Sequence, residues 1–141
     1  MVSPPGIADV TVVIVTYNSA HCIAGLAPTL AALPHVSVVD NASNDDTVAT
    51  VAKLLPNAQI LRNERNLGFG AANNRGLRAA TTRYALLLNP DCLPAPGFLE
   101  QLLEVAHANP EAAIVAPHLG KRNGEAAINY RWPSTFWESK G

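Results

Sequence analysis

The chain carries little charge of either sign. Asp, Glu, Lys and Arg together supply 15% of its residues and leave a net charge of −1. With 48% hydrophobic residues, such a composition buries a core instead of staying disordered. The near-neutral balance also withholds the basic footprint that nucleic acid or an anionic membrane surface would need. Cysteine is scarce too. Cys22 and Cys92 make no disulfide framework, so a reducing cytosol is the default compartment. No stretch approaches the roughly 18–20 apolar residues of a membrane span. Residues 1–9 lack a basic n-region, and the apolar run at 10–15 is too short for a signal peptide. The expected location is cytoplasmic, including a peripheral position at the inner face of the cell membrane. His21, His35, His107 and His118 are scattered without metal-ligand spacing and read as surface residues.

What is present is a regular alternation of strand and helix signals over a length that suits one domain or part of one. Residues 1–9, with Pro4-Pro5-Gly6, read as a flexible leader. The β-branched run 10–15 reads as a buried strand ending at Thr16-Tyr17-Asn18-Ser19. Ile23, Leu26, Ala27, Leu30 and Leu33 then follow helical spacing, with Asn18 or Ser19 as cap and Pro34 as stop. Residues 36–39 form a second strand that halts at Asp40-Asn41. Ser43 or Asn44 can cap the next helix, where Val48, Val51, Ala52 and Leu55 share a face. Asp45 and Asp46 in its first turn suit the helix dipole.

A short third strand at 58–61 leads into the polar loop 62–70 and a small-residue helix at 71–80. Next comes Tyr84-Ala85-Leu86-Leu87-Leu88, an apolar run without alternation. It fits a central strand buried on both faces of a parallel sheet. The run stops at Asn89-Pro90-Asp91, because proline cannot continue a ladder and disfavours helix in the residue before it. Taken alone, Asp91 is equally a solvated turn residue or a carboxylate delivered to a ligand. A helix follows with Phe98, Leu102 and Val105 inward, and 112–116 reads as a fifth strand. This βαβαβαβαβ order predicts an α/β fold: a Rossmann-like, mostly parallel sheet with helices on both faces.

In a parallel sheet every strand presents its carboxyl end to one edge, where open α/β folds place their ligands. Here that edge collects Thr16-Tyr17-Asn18, Asp40-Asn41, Asn63 with Arg65-Asn66, and Asn89-Pro90-Asp91. Four polar clusters together predict a cleft for a polar ligand. Gly68-Phe69-Gly70-Ala71-Ala72-Asn73 half-matches a dinucleotide fingerprint, but it follows the third strand and lacks the final glycine. A Rossmann dehydrogenase is therefore disfavoured. No Walker lysine motif is present, and no Ser-His-Asp spacing supports nucleophilic catalysis. Cys92 beside Asp91 reads as a packing residue before a nucleophile.

These segments also resemble a known family. The runs Val12-Val13-Ile14-Val15-Thr16-Tyr17-Asn18 and Val38-Val39-Asp40-Asn41-Ala42-Ser43-Asn44-Asp45-Asp46-Thr47 carry the first half of the likeness. Asn66-Leu67-Gly68-Phe69-Gly70-Ala71-Ala72-Asn73-Asn74-Arg75-Gly76 and Leu88-Asn89-Pro90-Asp91 complete it. In this order they resemble inverting glycosyltransferase family 2, nearest its rhamnosyltransferase-like branch, over residues 10–117.

The resemblance implies a GT-A fold and a nucleotide-diphospho-sugar donor, UDP-, TDP- or GDP-linked. The acceptor it implies is a saccharide or a lipid-linked molecule, in cell-wall or polysaccharide synthesis. By the same resemblance Thr16, Tyr17 and Asn18 line the base and ribose, and Asp40 with Asn41 meets the pyrimidine edge. Asn66, Gly68 and Asn73 close the nucleotide pocket. Asp91 matches the last carboxylate of the Asp-x-Asp signature and would hold Mg²⁺ or Mn²⁺ on the diphosphate, with Asn89 replacing the first. Arg131 resembles a basic aromatic segment of that branch, touching diphosphate or acceptor.

An inverting transferase also needs a base for the acceptor hydroxyl, placed by the family beyond the fifth strand. Glu125 and Glu138 are candidates, though solvated acids are the plainer reading of both. The expectation is a donor-binding half, 10–117, followed by the start of an acceptor-side segment, 118–141, of a longer enzyme. Its rival is a non-catalytic nucleotide-sugar-binding module. A nucleotidyltransferase is disfavoured, because no basic glycine-rich loop follows the first strand.

Overall fold

The computed structural model describes residues 5–117. Four strands form one parallel sheet in the order β3-β2-β1-β4: β1 (Val10–Thr16), β2 (Val36–Asp40), β3 (Gln59–Arg62) and β4 (Tyr84–Leu87). Helices α1 (Ala20–Leu30), α2 (Thr47–Leu54), α3 (Phe69–Ala79) and α4 (Phe98–Ala108) alternate with them. A 3₁₀ turn, Ile7–Asp9, precedes β1 where a loose leader was expected, and the Asp9 carboxylate accepts the Gly6 N–H at 2.8 Å.

All seven residues of β1 are buried, as are all five of β2. Alternate side chains of these two strands feed opposite layers. Val12, Ile14, Val36 and Val38 meet Ile23, Leu26, Ala27 and Leu30 of α1, with Val51 and Leu55. Val10, Leu99 and Leu103 extend that layer under α4. On the other face Val13, Val15 and Val39 pack on Ala72 of α3. Helices thus cover both faces, and each fully buried Val, Leu or Ile adds about 1.5–3 kcal/mol.

Three expectations need correction. Among the described residues strand β4 is an edge strand, with Ala85 and Leu87 on one side of it exposed, because α3 sits over β1 and β2. The segment 112–116 forms no strand, and Ile114 is 85% exposed. Both sides of β1 and β2 are already paired, and among the described residues nothing pairs this run with an outer edge. Helical faces also shift: Leu99 and Leu103 point inward while Val105 is exposed, and Thr47, Val51 and Leu55 point inward while Ala52 is exposed. In each segment the fully buried residues recur at i, i+4: Val51 and Leu55 were on the expected row, whereas in α4 the buried row is Leu99 and Leu103, with Phe98 partly buried beside it.

Helix α3 lies so close to the sheet that Gly76 has no room for a side chain. A methyl group there would overlap Val13 Cγ1 and press on Val39 Cγ2 at 3.1 Å. Gly76→Ala gains about 1 kcal/mol of helix propensity. The overlap with strand side chains costs about 1–3 kcal/mol, and we expect it to win. Chemical denaturation should show net destabilisation; a stabilised variant would mean that α3 stands off the sheet.

The N-termini of α1 and α2 are joined by one carboxylate. Asp45 accepts from the Thr47 backbone N–H at 3.0 Å and from the Thr47 hydroxyl, and more distantly from the Ala20 N–H at 3.4 Å. The Ser19 N–H in turn donates to Thr47 Oγ1 at 2.8 Å. The Thr47 hydroxyl, foremost, holds the Asp45 carboxyl below its ordinary value of 3.8, against a smaller opposing effect of burial. A depressed folded value means stability that is present above about pH 4 and lost as the pH falls through the folded value. Asp45→Asn should flatten the acid limb of the Tm-against-pH curve. Equal acid slopes in both proteins would remove Asp45 from this role.

Candidate functional site

The parallel register sets the ends of β1, β2 and β3 level, with Thr16 beside Asp40 and Asp40 beside Arg62. Pairing continues one residue further: Asn41 N–H donates to Thr16 O and Asn63 N–H to Asp40 O, each at 2.8 Å. Each chain then leaves the sheet by a turn. Asn18 and Ala42 adopt left-handed φ of 51° and 66°, strain of the kind that gathers at functional sites. The two turns are laced together. Asn18 N–H donates to Ser43 Oγ, and Asn44 N–H donates to Asn18 Oδ1, both at 2.9 Å.

Over these ends opens a cleft of about 440 Å³. Tyr17 and Asn18 line it from the end of β1, Asn41 from β2, and Asn66 and Phe69 from the loop into α3. Val15 and, at the start of α1, Ser19, His21 and Cys22 line it as well. Asn89, Pro90 and Asp91 close the β4 side. Cys92 N–H donates to Asn89 O at 3.1 Å, so Pro90 and Asp91 occupy the middle of a tight turn that leaves Asp91 exposed.

Of the residues expected here, the structure brings together Tyr17, Asn18, Asn41, Asn66, Asn89 and Asp91. Thr16, Asp40 and Asn73 are buried and do not line the cleft, and Gly68 is an exposed part of the wall segment beside Phe69. Both oxygens of the Asp40 carboxylate accept hydrogen bonds. One oxygen accepts from Thr16 Oγ1 at 3.1 Å and Ser43 Oγ at 2.6 Å, the other from Ser43 N–H at 3.1 Å. Its position suits holding the β2 turn. Gly68 supplies a φ of 84° before α3, and Asn73 Nδ2 donates to Phe69 O at 3.0 Å. Arg131, Glu125 and Glu138 lie outside the described residues.

Phe69 and His21 were missed by sequence reasoning. The available signal was an aromatic next to a turn glycine at a helix start, and Phe69 is 58% exposed. Tyr17, 48% exposed, lines the same cleft, so it offers two aromatic rings to a flat ligand. Burial, and secondarily the Asp91 charge, pushes the Cys92 thiol up, which keeps it protonated at neutral pH and supports the packing reading.

Among the described residues no three His, Cys, Asp or Glu side chains converge on a metal position, and Asp91 is the one carboxylate on the cleft. One carboxylate with the Asn89 amide beside it is too little to cage a cation. It fits a hard cation that takes its other oxygens from a bound phosphate and water, as Mg²⁺ commonly does.

Comparison with known proteins agrees with this architecture. The sequence profile described as Glycosyl transferase family 2 matches residues 11–140. A pre-mycofactocin glycosyltransferase of Mycobacterium tuberculosis is 37% identical over 123 residues, covering 83% of this chain and 25% of that protein. An N-acetylglucosaminyl-diphospho-decaprenol L-rhamnosyltransferase of the same species is 31% identical over 100 residues, covering 63% and 33% respectively. The chain therefore spans a quarter to a third of the length of these relatives. Among solved structures, the mannosyltransferase PcManGT from Pyrobaculum calidifontis, in complex with GDP-Man and Mn²⁺, superposes with a TM-score of 0.63. It is 27% identical, over 79% of this chain and 34% of that one. A parallel sheet with helices on both faces, four ordered motifs and these likenesses place the chain in glycosyl transferase family 2, with its Rossmann-like α/β fold of GT-A type.

Proposed function

We propose that this chain is the donor-binding part of a glycosyltransferase that takes a nucleotide-diphospho-sugar with a divalent metal. The observation that carries the reading is the cleft itself: two exposed aromatic rings, Tyr17 and Phe69, and a single carboxylate on the turn after β4. Tyr17 and Phe69 suit the faces of a nucleobase. Asn18, Asn41 and Asn66 surround the space between base and sugar with amides, neutral groups suited to hydroxyls. Asp91, with Asn89 beside it, would hold Mg²⁺ or Mn²⁺ against the diphosphate. Such a cation acts as a Lewis acid that offsets the charge developing on a departing diphosphate. The mannosyltransferase that superposes on this chain carries GDP-Man and Mn²⁺, which supports the same pairing of ligand and metal.

Transfer with inversion, to a saccharide or lipid-linked acceptor in envelope or polysaccharide synthesis, is the whole protein's proposed reaction. It requires a base for the acceptor hydroxyl. Asp91 is the one carboxylate on the cleft among the described residues, and in this reading its role is to hold the metal. That same observation favours a second reading, in which residues 1–141 bind the donor and transfer nothing. No helix among the described residues is long and apolar enough to cross a membrane.

The test is titration calorimetry with UDP and GDP, each with and without Mn²⁺. Mn²⁺ should tighten diphosphate binding to the wild-type chain by at least about tenfold, or 1.4 kcal/mol. Asp91→Ala should abolish that gain while leaving metal-free nucleoside binding nearly intact. A Mn²⁺ effect that survives the substitution would leave Asp91 as a turn residue only.

A further inference from the structure

Behind the cleft wall formed by Asn66 and Phe69 runs a chain of hydrogen bonds that begins and ends on α3. Arg75, on the second turn of that helix, donates through Nη1 to Arg62 O at 2.6 Å and to Asn63 Oδ1. Asn63 Nδ2 donates to Asn41 Oδ1 at 2.9 Å. The same oxygen accepts the Leu67 N–H at 2.9 Å, and Asn41 Nδ2 donates to Asn66 Oδ1 at 2.8 Å. Asn66 Oδ1 also accepts the Gly68 N–H at 2.9 Å. Gly68 immediately precedes Phe69, the first residue of α3.

From this geometry we infer that Arg75 and Asn63 are positioning residues that fix the cleft wall, residues 66–69, through Asn41. Neither side chain lines the cleft. The polarity of each amide is set by its neighbours. Arg75 can only donate, so Asn63 must turn its oxygen to Arg75 and its NH₂ to Asn41. Asn41 then presents an oxygen to Leu67 and an NH₂ to Asn66. Asn66, its oxygen taken twice, leaves its own N–H groups for a ligand. The charged donor on α3 orients Asn63, and the backbone N–H groups of Leu67 and Gly68 set Asn41 and Asn66 the same way round, so the three amides agree from α3 to the wall. Asn41 and Asn63 are 2% and 8% exposed, so water does not substitute readily for a lost partner. A buried amide deprived of its partner costs more than the bond itself was worth.

The ordering of residues 66–69 stands on the hydrogen bonds alone, whereas its effect on affinity rests on the nucleotide-diphosphate reading above. Two measurements separate them. Amide hydrogen exchange is followed at Leu67 and Gly68 in the 141-residue chain and in three variants: Arg75→Met, Asn63→Asp and Arg75→Lys. Binding of UDP with Mn²⁺ is titrated in the same set, well below each variant's Tm. Asn63→Asp keeps an oxygen for Arg75 and turns the donor facing Asn41 into an acceptor, so it tests the chain even if Arg75→Met fails to fold.

Exchange at Leu67 and Gly68 should rise at least about tenfold in Asn63→Asp and Arg75→Met, while the Val13 and Val38 amides keep their protection. Affinity should fall about fivefold, the worth of one hydrogen bond, with partial recovery in Arg75→Lys. Unchanged exchange at Leu67 and Gly68 overturns the inference. So does faster exchange with undiminished affinity, because the wall would then need no positioning. Faster exchange in a chain that binds neither UDP nor GDP supports the ordering of the wall and overturns the nucleotide reading instead.

Discussion

Strand β1 has a hydrogen-bonded neighbour on each side and a helical layer over each face. A strand so enclosed must be apolar or have its polar groups paired, as Thr11 is with Thr82, and polar side chains free to meet solvent come only where it ends. Parallel pairing then puts that end level with the ends of β2 and β3. The cleft follows from this constraint. Its residues converge because the strands that carry them are in register and point the same way, not because they attract one another. Gly76 serves the same constraint from outside, since α3 covers β1 and β2 only if its backbone lies directly on Val13 and Val39.

The polar edge is built in two tiers. The inner tier is buried and paired: Asp40 bound to Thr16 and Ser43, and Asn41 bound to Asn63, Asn66 and Leu67. An outer tier of Tyr17, Asn18, Phe69, Asn89 and Asp91 is left for a ligand. The division has a physical basis. Buried polar groups must be paired, so a side chain two or three bonds from the sheet ends has little left to offer. Residues one turn further out keep free donors, acceptors and ring faces. A family motif read as a string merges both tiers, and only burial and the hydrogen bonds separate Asp40 and Asn41 from Asn18 and Asn89.

Much of the fold was legible because its signals are local. The β-branched run of β1 and the spacing of Ile23, Leu26, Ala27 and Leu30 state strand and helix without reference to anything distant. The run from Tyr84 to Leu88 misled, because an apolar strand shows that it could be buried and not what is present to bury it. Val105 was misplaced because two overlapping helical rows compete within α4, and the sheet decides between them. In the site, the turn at Asn89-Pro90-Asp91 was readable from proline chemistry. The link from Arg75 to Asn66 was not, since it joins the loops after β2 and β3 to a helix whose proximity exists only in the folded sheet. Phe69 falls between these cases: its type and position were visible, but its exposure was not.

The central claim is that the carboxyl edge of this sheet is a nucleotide-diphosphate site. Its most direct measurement is an NMR titration of the ¹⁵N-labelled chain with GDP and UDP in the presence of Mg²⁺. The account predicts shifts confined to Tyr17, Asn18, Asn41, Asn66, Phe69, Asn89 and Asp91 and their neighbours, with Thr11 and Thr82 at the opposite end of the sheet unmoved. Shifts centred on that opposite end, or none with either nucleotide, would contradict it.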